Sequence, residues 1–207
     1  MKTNVLVFGV LLLVGNIARA QSVSVGVIGG VPFVDPTANG YHDESRPYMV
    51  GASVEIRLPA GFAIEADGIY RPIGTSTSYK FLAPGPAITS LDSRTRGNSW
   101  ELPVLGKYYF RPRKSGWQPF VGTGWALRTV GFRNDSTETT VNANGANTFS
   151  FHDRYRSDLG VGAVVAAGVR FHTGHFAFLP EVRYMRWGNG NTTLNRNETG
   201  FLLGITF

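Results

Sequence analysis

The chain has 207 residues, of which 43% are hydrophobic, 13% aromatic and 16% charged, with 26 glycines, no cysteine and a formal charge of +6. A charged share below the usual ~25% and a glycine share above the usual ~7% argue against a helical bundle. The missing cysteines exclude disulfides, thiolate metal sites and cysteine nucleophiles.

In chain order, Lys2 is followed by the apolar run Val5–Val14 (VLVFGVLLLV) and by Ala18-Arg19-Ala20, a small-x-small site. This is the layout of a signal peptide over residues 1–20, cut after Ala20. The apolar run is too short to span a bilayer as a helix, which takes ~20 residues. Cleavage would remove Lys2 and Arg19, lower the charge to +4 and leave one exported domain over 21–207.

Eight segments then alternate or carry strand-forming residues: Ser22–Gly30, Tyr48–Arg57, Gly61–Arg71, Asn98–Phe110, Trp117–Phe132, Tyr155–Phe171, Phe176–Trp187 and Asn197–Phe207. The connections after the first strand run long, short, long, short, long, short, long. The long ones are Val31–Pro47, Pro72–Gly97, Arg133–Arg154 and Gly188–Arg196; the short ones are Leu58–Ala60, Arg111–Gly116 and His172–His175. Long loops at one end and tight turns at the other predict an eight-stranded antiparallel up-and-down β-barrel crossing a membrane.

Parity supports this. Val50, Val54 and Ile56 oppose Glu55 and Arg57; Phe62, Ile64 and Tyr70 oppose Glu65 and Asp67; Trp100, Leu102 and Tyr108 oppose Glu101 and Lys107. Val161, Val165 and Phe171 oppose Arg170, and Phe178, Val182 and Tyr184 oppose Glu181 and Arg183. The charged sides are nearly balanced in sign and could satisfy one another inside a narrow lumen. Aromatics cluster at strand ends, with Tyr48, Tyr70, Trp100, Phe132, Tyr155 and Trp187 at the long-loop end. Phe62, Tyr108, Phe110, Trp117, Phe171, Phe176 and Phe207 lie at the other. Two such belts fit two membrane interfaces. Pro103, Pro119 and Pro180 cannot donate a ladder bond, so local breaks are expected there.

The closing strand Thr199–Phe207 (TGFLLGITF) puts Phe201, Leu203, Ile205 and Phe207 on one face and ends in an aromatic residue. With Trp100–Phe110 (WELPVLGKYYF) and Pro119–Leu127 (PFVGTGWAL), it resembles the small OmpA/OmpX-type outer-membrane barrel family. The resemblance implies a bacterial outer-membrane location, contact with outer-membrane lipids, and recognition of the last strand by the barrel-assembly machinery.

Four histidines, His42, His152, His172 and His175, bound any acid–base chemistry. His152, Asp153 and Ser150 are neighbours in sequence, but a triad is defined by spatial geometry. No cofactor, metal site or catalytic residue is assigned, and the long loops sum to zero charge, so nucleic acid is not expected as a partner. A monomer is expected, with a structural or surface-recognition role and an extracellular ligand held by residues 72–97 and 133–154. A narrow channel for small or hydrophobic solutes and an outer-membrane lipid-modifying enzyme are the alternatives.

Overall fold

The computed structural model describes residues 23–33, 42–43, 46–83, 87–143, 145–157, 159–188 and 196–207. Ala20 and the leader lie outside the described residues, as does most of the first and last long connections. The strands are β1 (Val23–Phe33), β2 (His42–Asp43), β3 (Met49–Arg57), β4 (Phe62–Ala83), β5 (Ala87–Tyr109) and β6 (Trp117–Asn142). They continue with β7 (Gly145–Arg156), β8 (Gly160–Thr173), β9 (Phe176–Trp187) and β10 (Asn197–Thr206).

Eight of these close a ring in the order β1-β3-β4-β5-β6-β8-β9-β10, every neighbour antiparallel. Closure is made by β1 on β10, with Gly26 opposite Thr206 and Phe33 opposite Thr199. Closing the sheet removes the edge strands, the only way β-structure can satisfy its backbone groups in lipid. β2 adds to the outer part of β4, and β7 to the outer part of β6.

Alternation of side chains across each strand decides the interior. Along β9, Phe178, Val182 and Tyr184 are exposed while Leu179, Glu181, Arg183 and Met185 are buried. Along β8, Val161, Ala163 and Val165 face out, and Val164 and Arg170 face in. The tight ends are compact: a 3-10 turn at Pro59–Gly61, with Ala60 and Gly61 at φ 58° and 84°, and a turn through Gly174 at φ 59°. Glycine accommodates the left-handed backbone of that last turn without a Cβ penalty.

The structure differs from the sequence reading at the long-loop end. Residues 72–97 and 133–154 are largely strand: β4, β5 and β6 run on through them, and β7 occupies Gly145–Arg156. The single segment expected over Tyr155–Phe171 is therefore two strands, β7 and β8, separated near Ser157. These stretches are rich in Ser, Thr and Asn, and water wets both of their faces. They lack the apolar alternation that marks a strand with one buried side.

Three aromatics leave the outer belt. Trp187 is 1% exposed and Phe132 6%, because both lie on the inward parity of their strands. Tyr155 stacks on Phe132 at 4.9 Å on that same inner face. The prolines divide. The β4–β5 ladder skips between Ala66↔Val104 and Ile69↔Glu101, beside Pro103, and the β8–β9 ladder skips between Gly168↔Glu181 and Phe171↔Phe178, beside Pro180. The expected break at Pro119 is absent. Pro119 pairs with Val169, and its carbonyl accepts from Phe110 N at 3.0 Å, a contact that needs no proline N–H.

Candidate functional site: the filled lumen and the outer ribbon

Because the interior is lined by the charged parity, the barrel axis becomes a column of ion pairs. Near the tight-turn end, Glu55 accepts from Arg57 Nε at 2.5 Å, Arg170 Nη1 at 2.8 Å and Tyr109 Oη at 2.6 Å. The Arg57 guanidinium also lies 3.4 Å over the Tyr109 ring and donates to Gln118 Oε1 at 3.1 Å. Arg170 reaches across the barrel seam to Ser24 and Thr206, at 3.3 and 3.1 Å.

In the middle, Arg183 donates to Glu181 at 2.6 Å, Asp67 at 2.7 Å and Glu65 at 3.2 Å. Lys107 bridges Glu65 and Glu181 at 2.6 and 2.9 Å. Toward the outer end, Glu198 binds Arg71 at 3.1 Å, Arg128 at 2.9 Å and the Trp187 indole N–H at 3.0 Å. Glu101 is buried at the same end and accepts from Ser99 at 3.4 Å.

All nine sequence-selected charges, Glu55, Arg57, Glu65, Asp67, Glu101, Lys107, Arg170, Glu181 and Arg183, lie inside and are at most 6% exposed. Sequence reasoning missed Arg71, Arg128 and Glu198, although each continues the parity of its strand. With them, the buried charges among the described residues are six acids (Glu55, Glu65, Asp67, Glu101, Glu181, Glu198) and six bases (Arg57, Arg71, Lys107, Arg128, Arg170, Arg183). Apolar side chains fill the space between the clusters: Ile28, Met49, Ile69 and Leu202 against one wall, and Leu105, Val164, Met185 and Trp187 against another. Glycine makes the room. A Cβ on Gly162 would stand 2.7 Å from the Trp187 ring, and one on Gly168 2.7 Å from that of Phe120. Phe201, Leu203 and Ile205 share the outward parity of β10, and Phe207, just beyond its end, is exposed and donates its N–H to Val25 O at 2.9 Å across the seam.

Outside the lumen, β4, β5, β6 and β7 continue as a four-stranded ribbon beyond Tyr70 and Trp100, whose rings meet edge to face at 5.2 Å. Its inner face is knitted by hydroxyl and amide pairs such as Thr89–Thr140 at 3.1 Å and Ser93–Asn134 at 3.0 Å. Tyr79, Phe81, Phe149 and Phe151 stand exposed there, each at least 48% accessible. On the other face His152 Nδ1 meets Asp135 Oδ1 at 2.8 Å, so its carboxylate partner is Asp135 and not its sequence neighbour Asp153. The bond from His152, with Arg133 beside it, holds the Asp135 carboxyl below its usual range. Ser150 pairs with Thr137 at 3.5 Å. Among the described residues no cluster of three His, Asp or Glu could hold a metal.

A closed antiparallel ring that turns apolar side chains outward and stores its charge inside is a membrane-spanning β-barrel. Residues 19–188 match the family described as outer membrane protein beta-barrel domain, and the chain belongs to that family, an integral component of the bacterial outer membrane. Among solved structures, it is similar to neisserial surface protein A, with 16% identity over 91% of this chain and 98% of that one and a TM-score of 0.50. It is also similar to the N-terminal barrel domain of Pseudomonas aeruginosa OprF, with 15% identity over 90% and 96% and a TM-score of 0.48. Pseudomonas aeruginosa OprG gives 15%, 90% and 97%, with a TM-score of 0.46. At these identities the likeness is one of fold. No curated protein matches the chain.

Proposed function

We propose that this protein is a sealed anchor for a surface-recognition ribbon. The observation that carries the reading is the contrast between the two halves. The lumen is filled by ion pairs and packed side chains, while strands β4 to β7 continue beyond the girdle with aromatic side chains uncovered. From Trp100 to Ala87 is about 40 Å along the strand at ~3.3 Å per residue. At that height Tyr79 and Phe81 on β4, and Phe149 and Phe151 on β7, lie well outside the bilayer as two exposed aromatic pairs flanking one face, which favours a binding surface. The nine lumen charges selected from sequence, with Arg71, Arg128 and Glu198, then act structurally, holding the wall together across the axis. Phe201, Leu203, Ile205 and Phe207 serve as the assembly signal, the barrel is a monomer, and no catalytic step is assigned.

The test replaces residues 72–97 and 133–154 with short turns and measures adhesion of expressing cells to host-cell and matrix surfaces. The barrel should remain folded, shown by a gel shift between unheated and boiled samples, and adhesion should fall to background. Unchanged adhesion would overturn the recognition reading. Sustained planar-bilayer conductance by the intact protein would overturn the sealed lumen and favour the channel alternative.

A further inference from the structure

The ribbon sorts its charge to one side. The outward face of β4–β7 is the continuation of the lipid-facing wall, and just above the girdle it carries a cross-strand row: Gly74 opposite Arg96, Arg96 opposite Arg133, and Arg133 opposite Arg154. Arg156 lies on the same face one row nearer the membrane, and Arg94 one row farther out. All five arginines are exposed. Like charges directly opposite one another weaken a sheet, yet here three stand in register where Ser, Thr, Asn and Gly dominate. Among the described residues the acid within these rows is Asp135, which is engaged by Arg133 at 3.3 Å and by His152. Asp92 stands farther out on that face, and Asp153 points to the other side. Below the row, Arg46, Arg94, Arg96 and Arg133 border one groove of about 660 Å³ with Tyr48 and Tyr70, and no carboxylate among the described residues lines it.

Height identifies the occupant. Arg96 is four residues above Trp100, about 13 Å along the strand and roughly 10 Å above the girdle once a ~40° tilt is allowed for. The belt rings themselves sit at headgroup level, so the row stands at the outer margin of the polar headgroup layer. A guanidinium presents a planar fork that matches a phosphate bidentately, and an anion bridging the row would turn mutual repulsion into shared attraction. We propose that Arg96, Arg133 and Arg154, flanked by Arg46 and Arg94, bind the phosphate of an outer-leaflet lipid headgroup. The barrel thereby gains a phosphorylated lipid fixed at one point of its circumference, under the ribbon. The proposal is independent of what the ribbon's inner face recognises.

Native mass spectrometry of the full protein in detergent tests it with four probes: a bisphosphorylated glycolipid (lipid A), the same lipid with its phosphates removed, inorganic phosphate and a sulfated polysaccharide. The phosphorylated lipid should be retained at least tenfold more strongly than the dephosphorylated one, a comparison that needs no variant. The Arg96→Gln/Arg133→Gln/Arg154→Gln protein, still heat-modifiable on gels, should lose that preference, and added salt should weaken retention in the parent. Equal retention of the two lipids, or an unchanged preference in the triple variant, would overturn the site. Full displacement by inorganic phosphate at equal phosphate concentration would overturn the lipid as its source. So would retention of a sulfated polysaccharide with no retention of the lipid.

Discussion

Arg183 is the residue on which the middle of the barrel turns. It is 1% exposed, and its three nitrogens reach Glu181, Asp67 and Glu65 at 2.6, 2.7 and 3.2 Å. Replacing it with Met keeps much of the volume but leaves three buried carboxylates facing Lys107 alone. Breaking a buried ion pair by removing one partner costs about 3–5 kcal/mol, because the remaining charge is neither hydrated nor compensated. In urea titrations from lipid vesicles, followed by the folded band on unheated gels, a slope of about 2–3 kcal/mol per M converts this to a midpoint lowered by about 1–2.5 M. The second change Asp67→Asn removes one of the stranded charges, and should recover about 1–2 kcal/mol as a coupling between neighbours. A midpoint shift of Arg183→Met below about 0.3 M would refute the reasoning, since it would mean the carboxylates are stabilised by something other than this guanidinium. Failure of Asp67→Asn to recover any of the loss would refute the assignment of the cost to charge.

Gly162→Val should displace the Trp187 ring, since even a Cβ would stand 2.7 Å away. Overpacking of this kind costs about 1–3 kcal/mol and would be read by a lower urea midpoint together with altered tryptophan fluorescence. At the ribbon, His152→Ala should let the Asp135 carboxyl rise toward the ordinary ~3.9. Its folded-state value is depressed by the His152 bond, so the pairing contributes above the unfolded value and is lost as pH falls through the folded one. A carbon-detected NMR titration of Asp135 that is identical in the variant would contradict this. Deleting Phe207 should slow insertion into the outer membrane in cells while leaving refolding in detergent intact, and equal insertion rates would remove its role as an assembly signal.

What the sequence made legible was the part of each strand that has two different sides. Wherever lipid wets one face and the lumen lies behind the other, Val, Phe and Leu alternate with Glu, Arg and Lys. The nine charges read from that alternation all lie in the interior. Glu198 sits on the same parity at the end of its strand, and Arg71 and Arg128 lie within theirs. Their omission came from stopping the alternation early, not from a missing signal. The ribbon was illegible for a physical reason: water on both faces leaves no hydropathy period, and Thr-rich pairing across strands shows only when the neighbouring strand is known. Trp187 and Phe132 were misplaced because an aromatic at a strand end reads as a belt residue by composition, while its direction depends on parity and, for Trp187, on a glycine across the ladder. The arginine row is likewise invisible in one dimension, because Arg96, Arg133 and Arg154 come from three strands and meet only through register.

The apolar parity of the barrel strands faces lipid. The natural chain lacks cysteine, so single fluorophores can be placed at Val121, Val165 and Val182 on the outward wall and at Ser78 on the outward face of the ribbon. In vesicles containing lipids brominated near the bilayer centre, the three wall positions should be strongly quenched and Ser78 should not. Absence of quenching at the wall positions would contradict the account, because those valines would then pack against protein and the charged parity would face water.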